Sequence, residues 1–457
     1  MSTITSTAPA ESAVPGVSLY RAIWRWHFFA GLFVLPFMLN LAITGSLYLF
    51  KNEINESVFA YRYDVVASGQ PLAPEKLAEI ATAAVPRSAV TAYKDPATPE
   101  HSAIVTVSSD AGSTLVFIDP YNGRILDTVG ATEEFNYVVK RIHSLALFGS
   151  LPNKLIEIAG GFAMVLVVTG IYLWWPRRQS GGVVTVRGTP ARRVFWRDLH
   201  AVTGAFAGIL IFFLAITGMP WSGYWGSNVQ AWLGSHGLGY PTQLWDDVPK
   251  SRKVTHDILP VVGWTVEQAP VPLSDIAVAR SKKPIGLNKA VDVAEAAGLT
   301  PGFDIAMPSG EAGVYSAAIY PDDLAKERTI HIDQYSGKPL VDISYRQYPI
   351  FGKAIEWGIN VHQGREFGRA NQFLMLATCL AIILSCVTGI VMWWKRRPSG
   401  RVGVPPLPPR RSVYVCLWTI TAVFALAFPL TGLAILLMVA TDQAIIRTIP
   451  PLRRAFD

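Results

Sequence analysis

The sequence predicts an α-helical integral membrane protein that also carries two soluble domains built from helices and strands. Of its 457 residues, 51% are hydrophobic, and the mean hydropathy is +0.30. Much of the apolar composition is concentrated in runs of about 20 residues, the length that a helix needs to cross a bilayer. Two long segments between the runs contain short stretches in which apolar and polar residues alternate, a pattern typical of half-buried strands.

Five apolar runs are long enough to cross a membrane, at about residues 26–50, 154–175, 200–220, 372–394 and 413–440. The first is too long and begins too late for a cleaved signal peptide, so we expect an uncleaved anchor. With flanking residues the predicted spans are 19–50, 141–176, 200–220, 362–395 and 413–440. Residues 1–18 are rich in Ser, Thr, Ala and Pro and are predicted to be disordered. Residues 441–457 form a C-terminal tail.

Two basic loops predict the orientation of the chain. The loops at 177–199 and 396–412 hold many arginines and a single acid, Asp198. The positive-inside rule therefore places both loops and the N-terminus in the cytoplasm, and segments 51–140 and 221–361 on the outer side. These loops also account for the net charge of +7, so a lipid bilayer is the expected partner and nucleic acid is not. The basic residues at and beside the loops are Arg177, Arg178, Arg187, Arg192, Arg193, Arg197, Lys395, Arg396, Arg397, Arg401, Arg410 and Arg411.

Each outer segment repeats a small α+β pattern. In the first, a helix at 74–84 precedes strands at 89–93, 103–107 and 114–118 and a turn at 119–123. In the second, a helix at 288–297 precedes strands at 314–319 and 329–332 and a turn at 333–337. Asp, Tyr and Gly recur at matching positions of the two turns, and the Gly supplies the positive φ that a tight reversal needs. We therefore expect two related α+β domains, one in each segment.

The spans are duplicated as well, and each copy has histidines at the same places. His27 lies 18 positions before Gly45, and His200 lies 18 positions before Gly218, with a Thr preceding each glycine. A second pair, His143 and His362, is also followed by matched motifs at equal offsets. Those motifs are Phe148-Gly149, Thr169-Gly170 and Trp174-Trp175-Pro176-Arg177-Arg178 in the first copy, and Phe367-Gly368, Thr388-Gly389 and Trp393-Trp394-Lys395-Arg396-Arg397 in the second.

These motifs carry a family resemblance over about residues 20–397. A helix and strands ending in Asp119-Pro120-Tyr121-Asn122-Gly123, followed by a span ending in Trp174-Trp175-Pro176-Arg177-Arg178, resemble the PepSY-associated transmembrane family. The resemblance implies a bacterial inner-membrane protein linked to iron uptake, with two PepSY-like periplasmic domains. Some members resemble ferric-siderophore reductases that carry two haems. The fifth span, 413–440, departs from a plain two-hairpin pattern.

The four repeated histidines are candidate haem ligands. A single histidine at a membrane interface is most often an ordinary hydrogen-bonding residue, but imidazole is also a standard axial ligand of haem iron. Two pairs at equal offsets, together with the resemblance, favour two b-type haems with two histidine ligands each. Topology pairs His27 with His200 at the inner face and His143 with His362 at the outer face.

Glycines and arginines complete the predicted sites. Gly31 and Gly204 lie one helical turn beyond His27 and His200, where a missing side chain lets a flat macrocycle approach the backbone. Arginines near each pair are candidate partners for haem propionates through charge-assisted hydrogen bonds. They are Arg21, Arg25 and Arg197 inside, and Arg141, Arg365 and Arg369 outside.

These features predict a haem-dependent ferric-chelate reductase. The chain contains neither a dinucleotide fingerprint nor a P-loop, and its three cysteines lie inside apolar runs without metal-ligand or disulfide spacing. A flavoprotein or membrane quinol is therefore the expected electron donor, and a ferric siderophore or another ferric chelate in the periplasm is the expected acceptor. Two other functions stay open: a non-catalytic PepSY-type regulator of periplasmic peptidases, and a haem or metal transporter.

Overall fold

The computed structural model describes residues 15–177, 181–259, 261–276, 282–405 and 411–456. Arg178, Arg410 and residues 1–14 of the segment predicted to be disordered lie outside these ranges. The chain divides into two compact units. The helical unit comprises residues 1–43, 150–225 and 378–457, and the sheet unit comprises residues 44–149 and 226–377.

Helices form most of the described chain. The first begins at Pro15, so residues 15–18 of the segment predicted to be disordered are helical. In chain order the α-helices are α1 (Pro15–Leu49), α2 (Lys51–Ser57), α3 (Ala60–Tyr63), α4 (Pro74–Ala84), α5 (Phe135–His143), α6 (Ser150–Trp174), α7 (Arg193–Gly218), α8 (Trp225–Ser235), α9 (Trp264–Glu267), α10 (Gly286–Ala296), α11 (Ile350–His362), α12 (Gly368–Arg396), α13 (Arg411–Ala427), α14 (Pro429–Thr441) and α15 (Pro450–Phe456).

Five stretches of the described chain are helical, long enough and apolar enough to cross a membrane. They are Leu19–Leu49, Ser150–Trp174, Arg193–Trp221, Gly368–Arg396 and Pro429–Ile446. The first four overlap predicted spans, which supports the prediction of a helical membrane protein.

The second and fourth spans begin later than predicted. The prediction placed His143 and His362 at the starts of spans 141–176 and 362–395, whereas each is the last residue of a short separate helix, α5 or α11. Gly149 separates α5 from α6 with φ +110°, and Gly364 separates α11 from α12 with φ +75°. Both angles lie in the left-handed region, where a helix of L-residues cannot continue.

The fifth predicted span, 413–440, is not one helix. It divides into α13 and α14 at Phe428, because Pro429 has no backbone N–H and its ring cannot follow a preceding helical turn. Helix α14 packs on α6, where a Cβ at Gly161 would lie within 3.0 Å of three Thr431 side-chain atoms. Ile435 of α14 joins Phe162 and Val34 in a buried apolar cluster. Small residues allow this close approach of helices in a bilayer.

The sheet unit is built on one eight-stranded antiparallel sheet with strand order β10-β9-β8-β7-β1-β2-β3-β4. The prediction of two separate α+β domains is therefore wrong in one respect: β1 pairs with β7, Tyr93 opposite Ile305, and joins the two repeats edge to edge. A separate two-stranded ribbon pairs β5 with β6. The strands are β1 (Ala89–Lys94), β2 (Ala103–Ser109), β3 (Gly112–Ile118), β4 (Ile125–Gly130), β5 (Lys250–Val254), β6 (Pro270–Pro272), β7 (Asp304–Ala306), β8 (Val314–Ile319), β9 (Arg328–Asp333) and β10 (Pro339–Ser344).

Helices α4 and α10 share one core with this sheet. Leu77 of α4 and Leu287 of α10 are buried in the same cluster as Val105 of β2 and Ile330 of β9. The helix and strand positions predicted in each repeat are thus correct to within two residues at most ends. The two predicted domains form a single folded unit because the strand at the edge of one repeat completes the sheet of the other.

Candidate functional site

The imidazole rings of His27 and His200 lie close together inside the helical unit. His27 lies on α1 and His200 on α7, and their ring centres are 6.3 Å apart with an angle of 87° between the ring planes. An imidazole nitrogen binds a metal at about 2 Å, as in zinc sites, so two rings on opposite sides of one metal ion have centres roughly 6 Å apart. The spacing of the two rings fits a shared metal ion.

Hydrogen bonds hold each ring by its Nδ1 atom. His200 Nδ1 lies 3.1 Å from the Ser385 carbonyl oxygen, which only accepts, so Nδ1 carries the hydrogen. His27 Nδ1 lies 2.9 Å from Thr169 Oγ1, whose own hydrogen is donated to the Val165 carbonyl oxygen at 2.7 Å. The hydroxyl oxygen therefore accepts from His27, and Nδ1 is protonated in both rings.

The second repeat has the same threonine–histidine hydrogen bond at the equivalent position. Thr388 Oγ1 lies 3.1 Å from His200 Nδ1 and donates its hydrogen to the Leu384 carbonyl oxygen at 2.7 Å. With Nδ1 protonated, the Nε2 lone pair of each histidine is free to bind a metal, and in the described chain neither Nε2 has a hydrogen-bond partner. Such outer contacts commonly orient histidine ligands of metals.

A cavity of about 760 Å³ opens beside the two rings. This volume falls within the roughly 300–1,000 Å³ of small-molecule and cofactor sites. Gly31 and Gly204, the two glycines predicted to leave room for a flat ligand, both line the cavity. A Cβ at Gly204 would touch nothing within 4 Å, and one at Gly31 only Leu166 at 3.9 Å.

The glycines of the Thr-Gly motifs make room for the histidines. A Cβ at Gly170 would lie 3.2 Å from His27 Cε1, tighter than an ordinary contact, and one at Gly389 would lie 3.8 Å from His200 Cε1. In each motif the threonine therefore holds the imidazole, and the next residue gives it space. From the sequence alone, these pairs are motifs of the repeat whose expected role is close helix packing.

Basic residues at the cavity differ partly from those predicted. Arg197 lines the cavity and donates to Asp198 at 2.6 Å, whereas Arg25 donates to the Pro405 carbonyl oxygen at 2.6 Å. Arg193 and Arg396 also line the cavity. The sequence predicted them only as basic residues in or beside the cytoplasmic loops, not as residues near His27 and His200. Arg193, Arg197 and Arg396 are the cavity residues able to bind an anionic group such as a haem propionate.

The second predicted pair lies in the sheet unit, where His143 ends α5 and His362 ends α11. His143 Nδ1 lies 2.9 Å from Oγ1 of Thr44, which belongs to another Thr-Gly motif. Burial lowers the pKa of His143 to about 4, so the ring is neutral near pH 7, the form that binds a metal.

The arginines predicted near the second pair have protein partners. Arg141 donates to the Ala146 carbonyl oxygen at 2.6 Å, and Arg365 forms an ion pair with Asp322 at 3.4 Å. Arg369 pairs with Glu53. A cavity of about 470 Å³ lies beside Arg365. Its lining is mostly polar: Asp322, Asp323, Leu324, Ala325, Tyr345, Arg365 and Glu366.

A family model described as the PepSY-associated TM region matches residues 24–396. The chain belongs to this family. The PepSY-associated match begins three residues before His27 and ends at Arg396, so it contains the four repeated histidines, the eight-stranded sheet and every residue that lines the two cavities except Tyr20. The resemblance seen in the sequence is confirmed. No curated protein matches the chain.

Proposed function

We propose that this protein is an inner-membrane di-haem oxidoreductase that reduces a ferric siderophore or another ferric chelate in the periplasm and releases Fe(II). Electrons would come from a cytoplasmic flavoprotein or from membrane quinol. The observation that carries the proposal is the pair His27 and His200, held 6.3 Å apart with both Nδ1 atoms protonated, beside a cavity of cofactor size.

The residues of the cavity fit haem. His27 and His200 supply two neutral imidazoles, and Gly31 and Gly204 leave space at the helix surface for a flat ring. Arg193, Arg197 and Arg396 supply positive charge for propionates. Apolar side chains such as Leu166 and Ile382 also line the cavity and suit the apolar faces of a macrocycle. Bound haem supplies a one-electron Fe(III)/Fe(II) couple.

His143 and His362 are the proposed ligands of a second haem. Their equal sequence offsets and the neutral imidazole of His143 support this role. In the topology that the positive-inside rule predicts, the basic loops face the cytoplasm, His27 and His200 lie near the inner face, and segments 51–140 and 221–361 are periplasmic. Two haems bound at these sites would carry electrons from a donor on the inner side of the membrane to an acceptor on the outer side.

The ferric chelate is the substrate in this proposal. Hard oxygen donors bind Fe(III) much more tightly than Fe(II), because their attraction to the metal is largely electrostatic. One electron per iron therefore weakens the complex and frees the metal. The chain contributes the ligand residues and the insulating helices, and the driving force comes from the donor.

The test is a single-turnover measurement on purified protein. The protein is reduced with dithionite, freed of excess reductant by gel filtration, and mixed with ferric citrate without oxygen. We expect the haem absorption to return to its oxidised form while a Fe(II)-specific chelator traps an equivalent amount of iron. His236→Ala, a change at an exposed histidine of the sheet unit, serves as the control and should behave like wild type.

Other results would contradict the reductase. Haem that stays reduced in the presence of ferric citrate would rule out electron transfer to the chelate. Iron that accumulates inside sealed vesicles without a change in its oxidation state would indicate a transporter. Activity on periplasmic peptidases that survives replacement of His27 and His200 would indicate a regulator.

A further inference from the structure

Two glutamate side chains are buried side by side in the sheet unit. Glu327 directly precedes β9 and is 1% exposed, and Glu356 on α11 is 0% exposed. Oε1 of each lies within 3.0 Å of the position that a Cβ of Gly263 would occupy. The two carboxyl groups are therefore immediate neighbours, and only a glycine fits beside them.

Hydrogen bonds distinguish the two groups. Glu356 accepts from the Thr265 backbone N–H at 2.7 Å and from the Tyr320 hydroxyl at 2.9 Å, so both of its oxygens have donors. Glu327 accepts only from the Tyr348 hydroxyl, at 2.7 Å on Oε1. Its Oε2 atom is buried without a hydrogen-bond partner in the described chain.

This arrangement suits one proton shared by the pair. Glu356 has the donors that stabilise a carboxylate, whereas Glu327 Oε2 has none and is the atom that a proton would occupy. Among the described residues, neither carboxyl forms an ion pair, and two adjacent buried carboxylates without a cation would repel each other strongly.

The surroundings of the pair also favour the protonated form of a carboxyl group. Burial raises the pKa of Glu327 well above its usual range, and the neighbouring Glu356 raises it further. Burial also raises the pKa of Glu356, although its hydrogen bonds lower it. Burial raises the pKa of nearby Glu267 to about 7, with Lys140 opposing and Glu356 adding to the effect. The charged and titratable groups around the pair and its tyrosines are Glu267, Lys140, Tyr320, Tyr345, Tyr348, Arg365 and Glu366.

The pair is linked to His362. Glu356 and His362 lie on the same helix, six residues apart, which is about 9 Å along the axis at ~1.5 Å per residue. Tyr320 donates to Glu356, and its ring centre lies 5.8 Å from the guanidinium of Arg365, three residues beyond His362. A charge that arrives at His362 would therefore act on the pair over a short distance.

We propose that Glu327 and Glu356 share one proton, which the pair holds more tightly once an electron has reached the site of His143 and His362. The inference rests on the proposed function. At pH values at which the oxidised protein has lost this proton, one electron from the quinol or flavoprotein donor is accompanied by one proton from periplasmic water to Glu327 Oε2, so the added charges cancel. Because linkage between two sites is reciprocal, proton binding in turn favours reduction.

A redox titration of the haem-loaded protein at several pH values tests the inference. We expect the potential of one of two haems to fall as pH rises, by at most 59 mV per pH unit, which is tenfold in the equilibrium constant of a one-electron couple. Glu327→Gln should keep both haems and remove this dependence. Glu311→Gln, at an exposed carboxyl of the sheet unit, should retain it.

The outcomes separate the two proposals. A colourless wild-type protein would overturn the di-haem function and this inference with it. Two haems whose potentials do not change with pH, or an equal dependence in Glu327→Gln, would overturn the inference alone. The wild-type titration needs no variant, so a poorly folding Glu327→Gln protein does not remove the test.

Stability gives a second readout that does not require haem. Because folding raises the pKa of both glutamates, their contribution to stability is complete below the unfolded pKa and is lost as pH rises through the folded values. Amide hydrogen exchange in the sheet unit should therefore quicken more with rising pH in wild type than in Glu327→Gln, after correction for the intrinsic exchange rate. Equal changes would contradict a shared proton.

Discussion

Thr169 and Thr388 determine which nitrogen of His27 and of His200 is free. Both threonines donate to a carbonyl one turn back on their own helix, which leaves the hydroxyl oxygen to accept from imidazole Nδ1. A threonine in a spanning helix often bonds to its own backbone in this way. Here the same bond also selects the histidine tautomer whose Nε2 lone pair is free.

Replacing one threonine should weaken the proposed inner haem site. Thr169→Val keeps the shape of the side chain but removes the acceptor for His27 Nδ1–H, so that a polar hydrogen is left without its partner. Loss of such an outer contact typically lowers metal affinity by about 10–100-fold. Haem titration followed by absorbance measures the change.

Thr169→Ser retains the hydroxyl and is the matched control. It should bind haem nearly as tightly as wild type. If Thr169→Val and wild type bound haem equally well, the threonine would have only a packing role.

At the scale of single residues, the sequence predicted the histidines better than their surroundings. The repeat identified His27 and His200, because equal offsets in two copies are visible in one chain. The Thr-Gly motifs were visible too, but their partners lie on other helices at separations of 142 and 188 residues. Only the packed helices bring Thr169 to His27 and Thr388 to His200.

The joined sheet is the main feature at the scale of secondary-structure elements. Sequence patterns predicted strands within each repeat because alternation is local, but the β1–β7 pairing connects residues more than 200 positions apart. Strand β7 has only three residues and no alternation long enough to detect. The break in the fifth span was similarly hidden inside a continuous apolar run, although Pro429 was a signal for it.

A cavity at the junction should destabilise both halves of the sheet together. Ile305 of β7 is 0% exposed and lies opposite Tyr93 of β1 and Ala317 of β8. Ile305→Ala should lower the free energy of unfolding by about 2–5 kcal/mol, the usual cost of this change in a core. Hydrogen exchange should quicken to a similar extent in β2 and β9.

Ser113→Ala in β3 is the control, since Ser113 is exposed and its loss should change stability by less than about 0.5 kcal/mol. Faster exchange in β8 and β9 alone after Ile305→Ala would show that the two repeats fold as independent domains.

At the scale of the whole molecule, the family match, the apolar helices and the duplicated histidines describe a membrane protein of the PepSY-associated family. The proposal of two haem sites adds electron transfer as the chemical role of this protein. It explains why both repeats retain a histidine at each end, since each haem would take one ligand from each copy. It also explains the apolar cavity with arginines among its lining residues.

Haem content per chain is the most direct test of this account. Protein purified from haem-replete cells should contain two haems, with an absorption spectrum that shifts on reduction. His27→Ala should contain one, and His236→Ala should still contain two. A haem-free wild-type protein, or two haems remaining in His27→Ala, would contradict the assignment of His27 and His200 as the ligands of one haem.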